Sequence, residues 1–265
     1  KDSALKCANS IWVDNKLDVK TSFLQKNADF YSAQAYKADF TRKNTVNEIN
    51  SWVNKNTNGM IKKLVDEFDP LTVMVLMNAL CLEAEWDDPY TDNCVREGTF
   101  KNAKGNLVKA EYMYSQETEY IETENATGFV KYYKGGKFAF VALLPNEGTS
   151  IDSYIASLTG KGFLSALNSR KNTQVNTQMP KFKCEYSNSL VDTLKKMGMS
   201  TAFDGDRANF SSMATLKNEN IYISDVIHKT FIEVAEKGTR AGAATAVIVG
   251  ESAAMPVEQP KEVRL

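Results

Sequence analysis

Histidine is almost missing from this sequence: His228 is the only one in 265 residues. A His-rich zinc site is therefore excluded, and there is no HExxH. A GxSxG elbow, a GxxxxGK[ST] loop and a GxGxxG fingerprint are absent as well. Any Ser/His/Asp or Cys/His catalytic centre would have to use His228. Cysteine is scarce. Cys7, Cys81, Cys94 and Cys184 lie far apart and never form CxxC, which reads as separate thiols and leaves the redox compartment open. No apolar run approaches the ~18–20 residues that span a bilayer. Net charge is also small, −1 with a pI of about 6.1, so no basic excess points to nucleic acid or to an anionic membrane. Neither is expected as a partner, and no metal or cofactor is expected.

What remains is ordinary for a soluble globular chain: 43% hydrophobic and 25% charged residues, one large domain in length. No 20–50-residue repeat, low-complexity segment or Pro/Gly/Ser linker divides it, so residues 1–265 read as a single domain. "KDSALKCANSIWVDNK" is not a signal peptide, "PKEVRL" brings no closing element, and both ends read as cut from something longer. Two acceptor sequons, at Asn125 and Asn209, are near chance for this length.

Periodicity assigns the elements. "ANSIWVDNK" predicts a strand ending in an Asp-Asn turn, and "AYKADF" a short one. "KTSFLQKNADFYSA" predicts a helix from the spacing of Phe23, Leu24 and Phe30. "TRKNTVNEINSWVNKNTNG" predicts another, with Val46, Ile49, Trp52 and Val53 on one stripe and Asn58-Gly59 closing it. "TVMVLMNALCLEAEW" is apolar on both faces and predicts a strand in the middle of a sheet; "KFAFVALLP" is similar. "TQVNTQMPKFKCEYS" alternates around Pro180, which suits an edge. "SLVDTLKKMGM" predicts a short amphipathic helix closing on Gly198, and "NIYISDVIHKTFIEVAEKG" a long strand. Strands outnumber helices, which makes the class α+β.

One stretch breaks the pattern. After the β-branched strand ending near Glu236 comes "GTRAGAATAVIVGE", Gly238 to Glu251, where side-chain bulk vanishes and then returns at Val247, Ile248 and Val249. Gly and Ala are poor strand formers, so a flexible linker is one reading. Against it, Thr239, Thr245 and "VIV" are β-competent, and no proline lies between Thr239 and Met255 to remove a backbone donor. Small side chains can enter between two existing strands without clashing on either face. The second reading is a strand meant for insertion.

At this point the sequence resembles a serpin, and "EKGTRAGAATA" resembles the hinge of the serpin reactive-centre loop. "ANSIWV" from Ala8, "DF" at Asp39, "EINSWVNKNTNGMI" from Glu48, "MVLMNAL" from Met74, "MPKFK" from Met179, "LKKMGM" from Leu194, "ANFSSM" from Ala208 and "ISDVIHKTFIEVAEKGT" from Ile223 follow in family order. The resemblance implies a large central β-sheet with smaller sheets, surrounding helices and an exposed reactive-centre loop over residues 238–260. It implies a hinge of Glu236, Gly238, Thr239, Ala241, Gly242, Ala243, Ala244, Thr245 and Ala246. It also implies a shutter in which Asn78 pairs with His228, a non-catalytic role matching a buried, hydrogen-bonded histidine, and a breach filled by Trp86. Arg240 stands where the family often has Glu, with its side chain expected to face solvent after insertion. Family helices before Lys1, including the serine-bearing one that completes the shutter, and strands after Leu265 imply a longer parent.

The function so implied is suicide inhibition of serine proteases, not enzymatic turnover. The target cleaves the loop, forms a covalent acyl-enzyme, and the segment from Thr239 to about Glu251 enters the large sheet. Loop length puts the scissile bond near Ser252-Ala253. No Lys or Arg lies between Arg240 and Lys261, so small residues favour an elastase-like or subtilisin-like target, with Glu251 leaving a glutamate-specific one open. The expected state is a monomer, with loop–sheet polymers as the alternative assembly, secreted or extracellular with the cytoplasm as the alternative. The competing functions are a non-inhibitory carrier or chaperone on the same fold, and an unrelated hydrolase using Cys81 or a serine with His228.

Overall fold

The computed structural model describes residues 4–251 apart from 103 and 218. Chain order begins with β1 (Ala4–Asp14), β2 (Asp18–Val19), α1 (Thr21–Tyr31), β3 (Gln34–Ala38), α2 (Lys43–Asn56) and β4 (Thr72–Glu85). Then come β5 (Val95–Lys101), β6 (Leu107–Glu122), β7 (Ala126–Tyr132), β8 (Ala139–Pro145), α3 (Ile151–Ser157) and α4 (Gly160–Asn168). The last part holds β9 (Lys171–Pro180), β10 (Phe182–Ser189), α5 (Val191–Leu194), β11 (Ala214–Thr215), β12 (Ile221–Ala235) and β13 (Gly238–Glu251). The class is α+β, with a six-stranded sheet of order β10-β12-β13-β4-β1-β3. The chain forms two compact units. Strands β4, β12 and β13 contribute one end to each.

The first unit contains Leu82–Cys184 and Phe231–Ala241. Its own sheet is antiparallel, β5-β6-β7-β8, with β9 also pairing β6. Strand β6 can serve three neighbours because it is long, and its register slips once between Glu117 and Glu119. Pro180 ends β9, where it has no N–H to offer, and Lys181 resumes by donating its backbone N–H to Glu111 O. "TQVNTQMPKFKCEYS" is thus two strands in two sheets rather than one, β9 on β6 and β10 at the edge of the larger sheet. One core cluster gathers Ala84, Trp86, Tyr90, Met113, Tyr133, Met179 and Val234. A smaller one joins Ile121 and Val130 to Ala166 of α4.

The second unit contains Lys6–Cys81, Glu185–Thr230 and the strand from Gly242. Strands β1 and β3 pair in parallel across the α1 connection, with Ser10 opposite Gln34 and Asp14 opposite Ala38. Its core joins Ile11, Val13, Val73, Met74, Ile221 and Val249, with Phe23 and Leu24 of α1 packed on it. Phe30, expected on the same face, is exposed because it sits in the last turn of α1, beyond that core. Helix α2 buries Val46, Ile49 and Val53, as its spacing predicts, while Trp52 is half-buried. It ends where Asn58 and Gly59 turn left-handed, at φ 48° and 79°, and Gly59 N–H donates to Asn54 O. Helix α5 is shorter than expected. The chain widens into a π-turn over Lys195–Met199, with Gly198 at φ 101°. No disulfide joins the four cysteines.

Candidate functional site

The small-residue run is neither a linker nor an exposed loop in this structure. From Gly238 to Glu251 it is strand β13, seated between β12 and β4. This corrects the expectation of an exposed reactive-centre loop over the part of residues 238–260 that is described. Ser252 and Ala253, the expected scissile pair, lie outside the described residues.

In the first unit, the seat begins at a tight entry. Trp86 N–H donates to Lys237 O at 3.0 Å and Tyr90 N–H to Glu236 O at 3.0 Å. Gly238 is required by contact. A Cβ there would lie 2.1 Å from Ala84 O and 2.8 Å from Glu85 Cα, both backbone atoms that cannot move aside alone. Glu236 is fixed by Lys181, whose Nζ donates to Glu236 Oε1 at 2.6 Å and to Glu111 Oε2 at 3.0 Å. The lysine hydrogen bond holds the Glu236 carboxyl below the usual carboxylate range. Glu236 and then Glu111 hold the Lys181 ammonium above its own.

Trp86 is buried beneath this entry, at 1% exposure. It stacks on Tyr133 with ring centroids 4.5 Å apart and an interplanar angle of 7°. Its indole N–H donates to Ala235 O at 2.9 Å, so the ring is held by β12. Tyr133 then carries the contact onward, its hydroxyl donating to Thr239 Oγ1 at 2.7 Å. Burial pushes the Tyr133 phenol up to about 12, against the opposing effect of that bond, so it stays protonated and donates. The Lys131 ammonium lies over the Tyr90 ring at 4.6 Å and pairs with Glu117 at 2.7 Å, which satisfies a buried cation. Thr239 is therefore the first inward side chain of β13, and its hydroxyl has a buried partner waiting.

In the second unit, the strand is packed closely on one face. Gly242, Ala244, Ala246 and Ile248 are buried, while Ala241, Ala243, Thr245 and Val247 between them are half-buried. A Cβ on Gly242 would meet Met60 Cβ and Sδ at 3.2 Å, tighter than ordinary contact. This is the physical reason for the missing bulk: one face of β13 lies against neighbours that leave room for a methyl or less. At the far end Val249 enters the core of Ile11, Val13, Val73 and Met74, which is why β-branched residues return there.

His228 shares a hydrogen bond through Nδ1 with Thr245 Oγ1 at 2.8 Å. The expected pairing with Asn78 is not the one made. Asn78 Nδ2 donates to Asn9 Oδ1 at 2.8 Å and to Cys7 Sγ at 3.3 Å. The reason is topological: β12 carries His228, β4 carries Asn78, and β13 now stands between them and presents Thr245. His228 is thus tied to β13, and Asn78 to β1 on the other side of β4.

All 265 residues match one family model, described as serpin (serine protease inhibitor). The chain belongs to the serpin family. It is 32% identical over 259 residues to an uncharacterized serpin-like protein of Thermococcus kodakarensis, covering 97% of this chain and 60% of that protein. A serpin solved as a loop C-sheet polymer is 44% identical with a TM-score of 0.90, covering 100% of this chain and 68% of the other. The thermophilic serpin tengpin in its latent state is 46% identical with a TM-score of 0.88, covering 93% and 67%. The chain spans 60%, 66% and 67% of the length of the first three curated relatives it matches. In this serpin, Tyr133, Met60 and Glu83 touch β13 from distant parts of the chain and Glu233 touches it from the strand just before, and none of the four stands out in the sequence. No local pattern marks them.

Proposed function

We propose that the protein is a suicide inhibitor of serine proteases that works by cleavage of its reactive-centre loop and insertion of the freed strand. The observation that supports this most is the seat of β13. A strand of small residues lies between two long strands, with a glycine where backbone forbids a Cβ and another where Met60 leaves little room for one. Such a seat suits a strand that enters the sheet from outside it, and an unrelated hydrolase has no use for one.

The reaction starts from the loop outside the sheet. The protease serine Oγ attacks the carbonyl carbon near Ser252, the bond to Ala253 nitrogen breaks, and the protease histidine delivers the proton to the leaving amine. The product is an ester that joins the protease to the segment carrying Thr239–Glu251. Entry of that segment adds roughly a dozen backbone hydrogen bonds at ~0.5–1.5 kcal/mol each. The sum is comparable with the ~5–15 kcal/mol that holds an ordinary domain. Such a gain, delivered faster than the ester hydrolyses, drags the protease along and distorts its catalytic geometry. The protein serves once and needs no catalytic residue of its own. The small residues near the cut favour an elastase-like or subtilisin-like target, and the working form is a secreted monomer.

The test is a pair of thermal melts on full-length protein, intact and after one cut between Val249 and Met255. The nicked protein is expected to melt far higher, although a nick in a linker can only leave stability unchanged or lower it. Equal or lower stability overturns the proposal. Incubation with an elastase-like protease separates the remaining readings: an inhibitor leaves a complex that survives boiling in detergent, a carrier leaves none, and a hydrolase turns over.

A further inference from the structure

Arg240 is the one charged residue within the small run, and its position in the sheet sets it between two carboxylates. Its Nε lies 3.4 Å from Glu83 Oε1 and its Nη1 lies 3.6 Å from Glu233 Oε2. Glu83 belongs to β4 and Glu233 to β12, the two strands that flank β13. The three side chains are each between a third and a half exposed. They form a row across the sheet surface with the cation in the middle.

The strand directions make this row informative. Lys237 meets Trp86, Gly238 meets Ala84 and Arg240 meets Glu83, so β13 runs antiparallel to β4. Thr245 meets His228 and Ile248 meets Ser224, so it runs antiparallel to β12 as well. Strands β4 and β12 are therefore parallel to each other. If β13 leaves and they close, two carboxylates on the same face come within about one interstrand spacing, ~4.8 Å. Like charges opposite each other on adjoining strands destabilise the pairing. The closed sheet then carries a carboxylate pair at the end where entry begins, and the occupied sheet carries carboxylate, guanidinium, carboxylate.

We infer that Glu83 and Glu233 act as a clasp that selects a basic side chain at position 240 and accelerates the entry of the strand. This rests on the insertion mechanism proposed above and assigns its positioning residues. The clasp weakens the closed join and rewards the arriving cation, and both effects act on the third residue of β13, two positions after the Gly238 entry. The groups are exposed enough that salt screens them, with a Debye length of about 8 Å at physiological ionic strength.

The test compares full-length wild type with Arg240→Glu, Arg240→Ala and the reversed set Arg240→Glu/Glu83→Lys/Glu233→Lys. The readout is the number of inhibitor molecules consumed per protease trapped, with insertion after the cut followed by Trp86 fluorescence. Arg240→Glu is expected to slow insertion by roughly tenfold and Arg240→Ala by about threefold, the scale of two half-exposed ion pairs lost or reversed. The reversed set is expected to regain wild-type behaviour within about twofold, and raised salt to narrow every difference. Glu83→Gln/Glu233→Gln, which keeps shape and removes charge, is expected to make residue 240 indifferent to Arg or Glu. Wild-type trapping by Arg240→Glu, or no recovery in the reversed set and no levelling by the two glutamines, overturns the clasp. The nick-induced rise in melting temperature is expected in Arg240→Glu too. Its presence with unaltered rates refutes the clasp alone, whereas its absence in wild type refutes the insertion reading beneath it.

Discussion

Thr239→Val removes one oxygen from the seat of β13 and nothing else of its shape. Thr239 is 3% exposed and Tyr133 is 2% exposed, and their hydroxyls meet at 2.7 Å. No solvent can replace the lost acceptor. The Tyr133 O–H would stay buried without this partner, a desolvation cost of ~1–3 kcal/mol. Taking about 2 kcal/mol, the inserted state loses roughly thirtyfold in population against its alternatives. Tyr133→Phe alone strands only the threonine hydroxyl, which can rotate, and is expected to cost about 1 kcal/mol. The double variant replaces both polar groups by apolar ones of similar shape and is expected to cost less than the two singles added together. The assay is denaturant unfolding of the nicked, full-length protein for wild type, both singles and the double. Coupling of ~1–2 kcal/mol supports the buried hydroxyl pair as a positive contribution to insertion. Additive losses would refute it, since they mean the two side chains do not sense each other in the inserted state.

Gly242→Val is expected to lower the melting temperature of the nicked form by overpacking against Met60, at ~1–3 kcal/mol, while Gly242→Ala shifts it little because the flexible Met60 side chain yields. Equal melts for the two variants would remove Met60 from the account. The Glu236–Lys181 tie gives a pH window. Glu236 has its pKa lowered on folding, so its contribution is present above the ordinary carboxylate value of 4.5 and is lost as pH falls through that region and below. Lys181 has its pKa raised, so its contribution is present below 10.5 and is lost as pH rises beyond it. Melts of wild type and Glu236→Gln between pH 3 and 7 are expected to converge at the acid end; a constant gap would refute the tie.

Much of this fold could be read from spacing. The stripe of Val46, Ile49 and Val53 marks α2 because burial of a helix face repeats every three to four residues. The apolar run from Thr72 marks an interior strand because both faces of β4 are covered for much of its length. The small run of β13 was legible as strand-competent because threonines and "VIV" flank the alanines. Its partners were not. Asn78 was expected to face His228, yet Thr245 takes that place, because hydrogen-bond partners depend on which strand occupies the middle of the sheet. Arg240 was expected to face solvent. It is exposed, but it bridges carboxylates from strands more than a hundred residues away in sequence on one side and only seven on the other. The break at Lys181 is not legible in the sequence because alternation continues straight across it, and only the pairing shows that the chain changes sheets.

Gly238 has an evolutionary consequence. Its missing Cβ is demanded by Ala84 O and Glu85 Cα, atoms that it meets with β13 in place. On the mechanism proposed here, that arrangement is reached at the end of the molecule's single use, when it will not act again. On that mechanism, the contacts that reject a larger residue act once the bond is cut and the strand is seated. Mutational drift at this position is thus purged by an event in the spent molecule, and a lineage that abandoned inhibition would lose the glycine before it lost the fold.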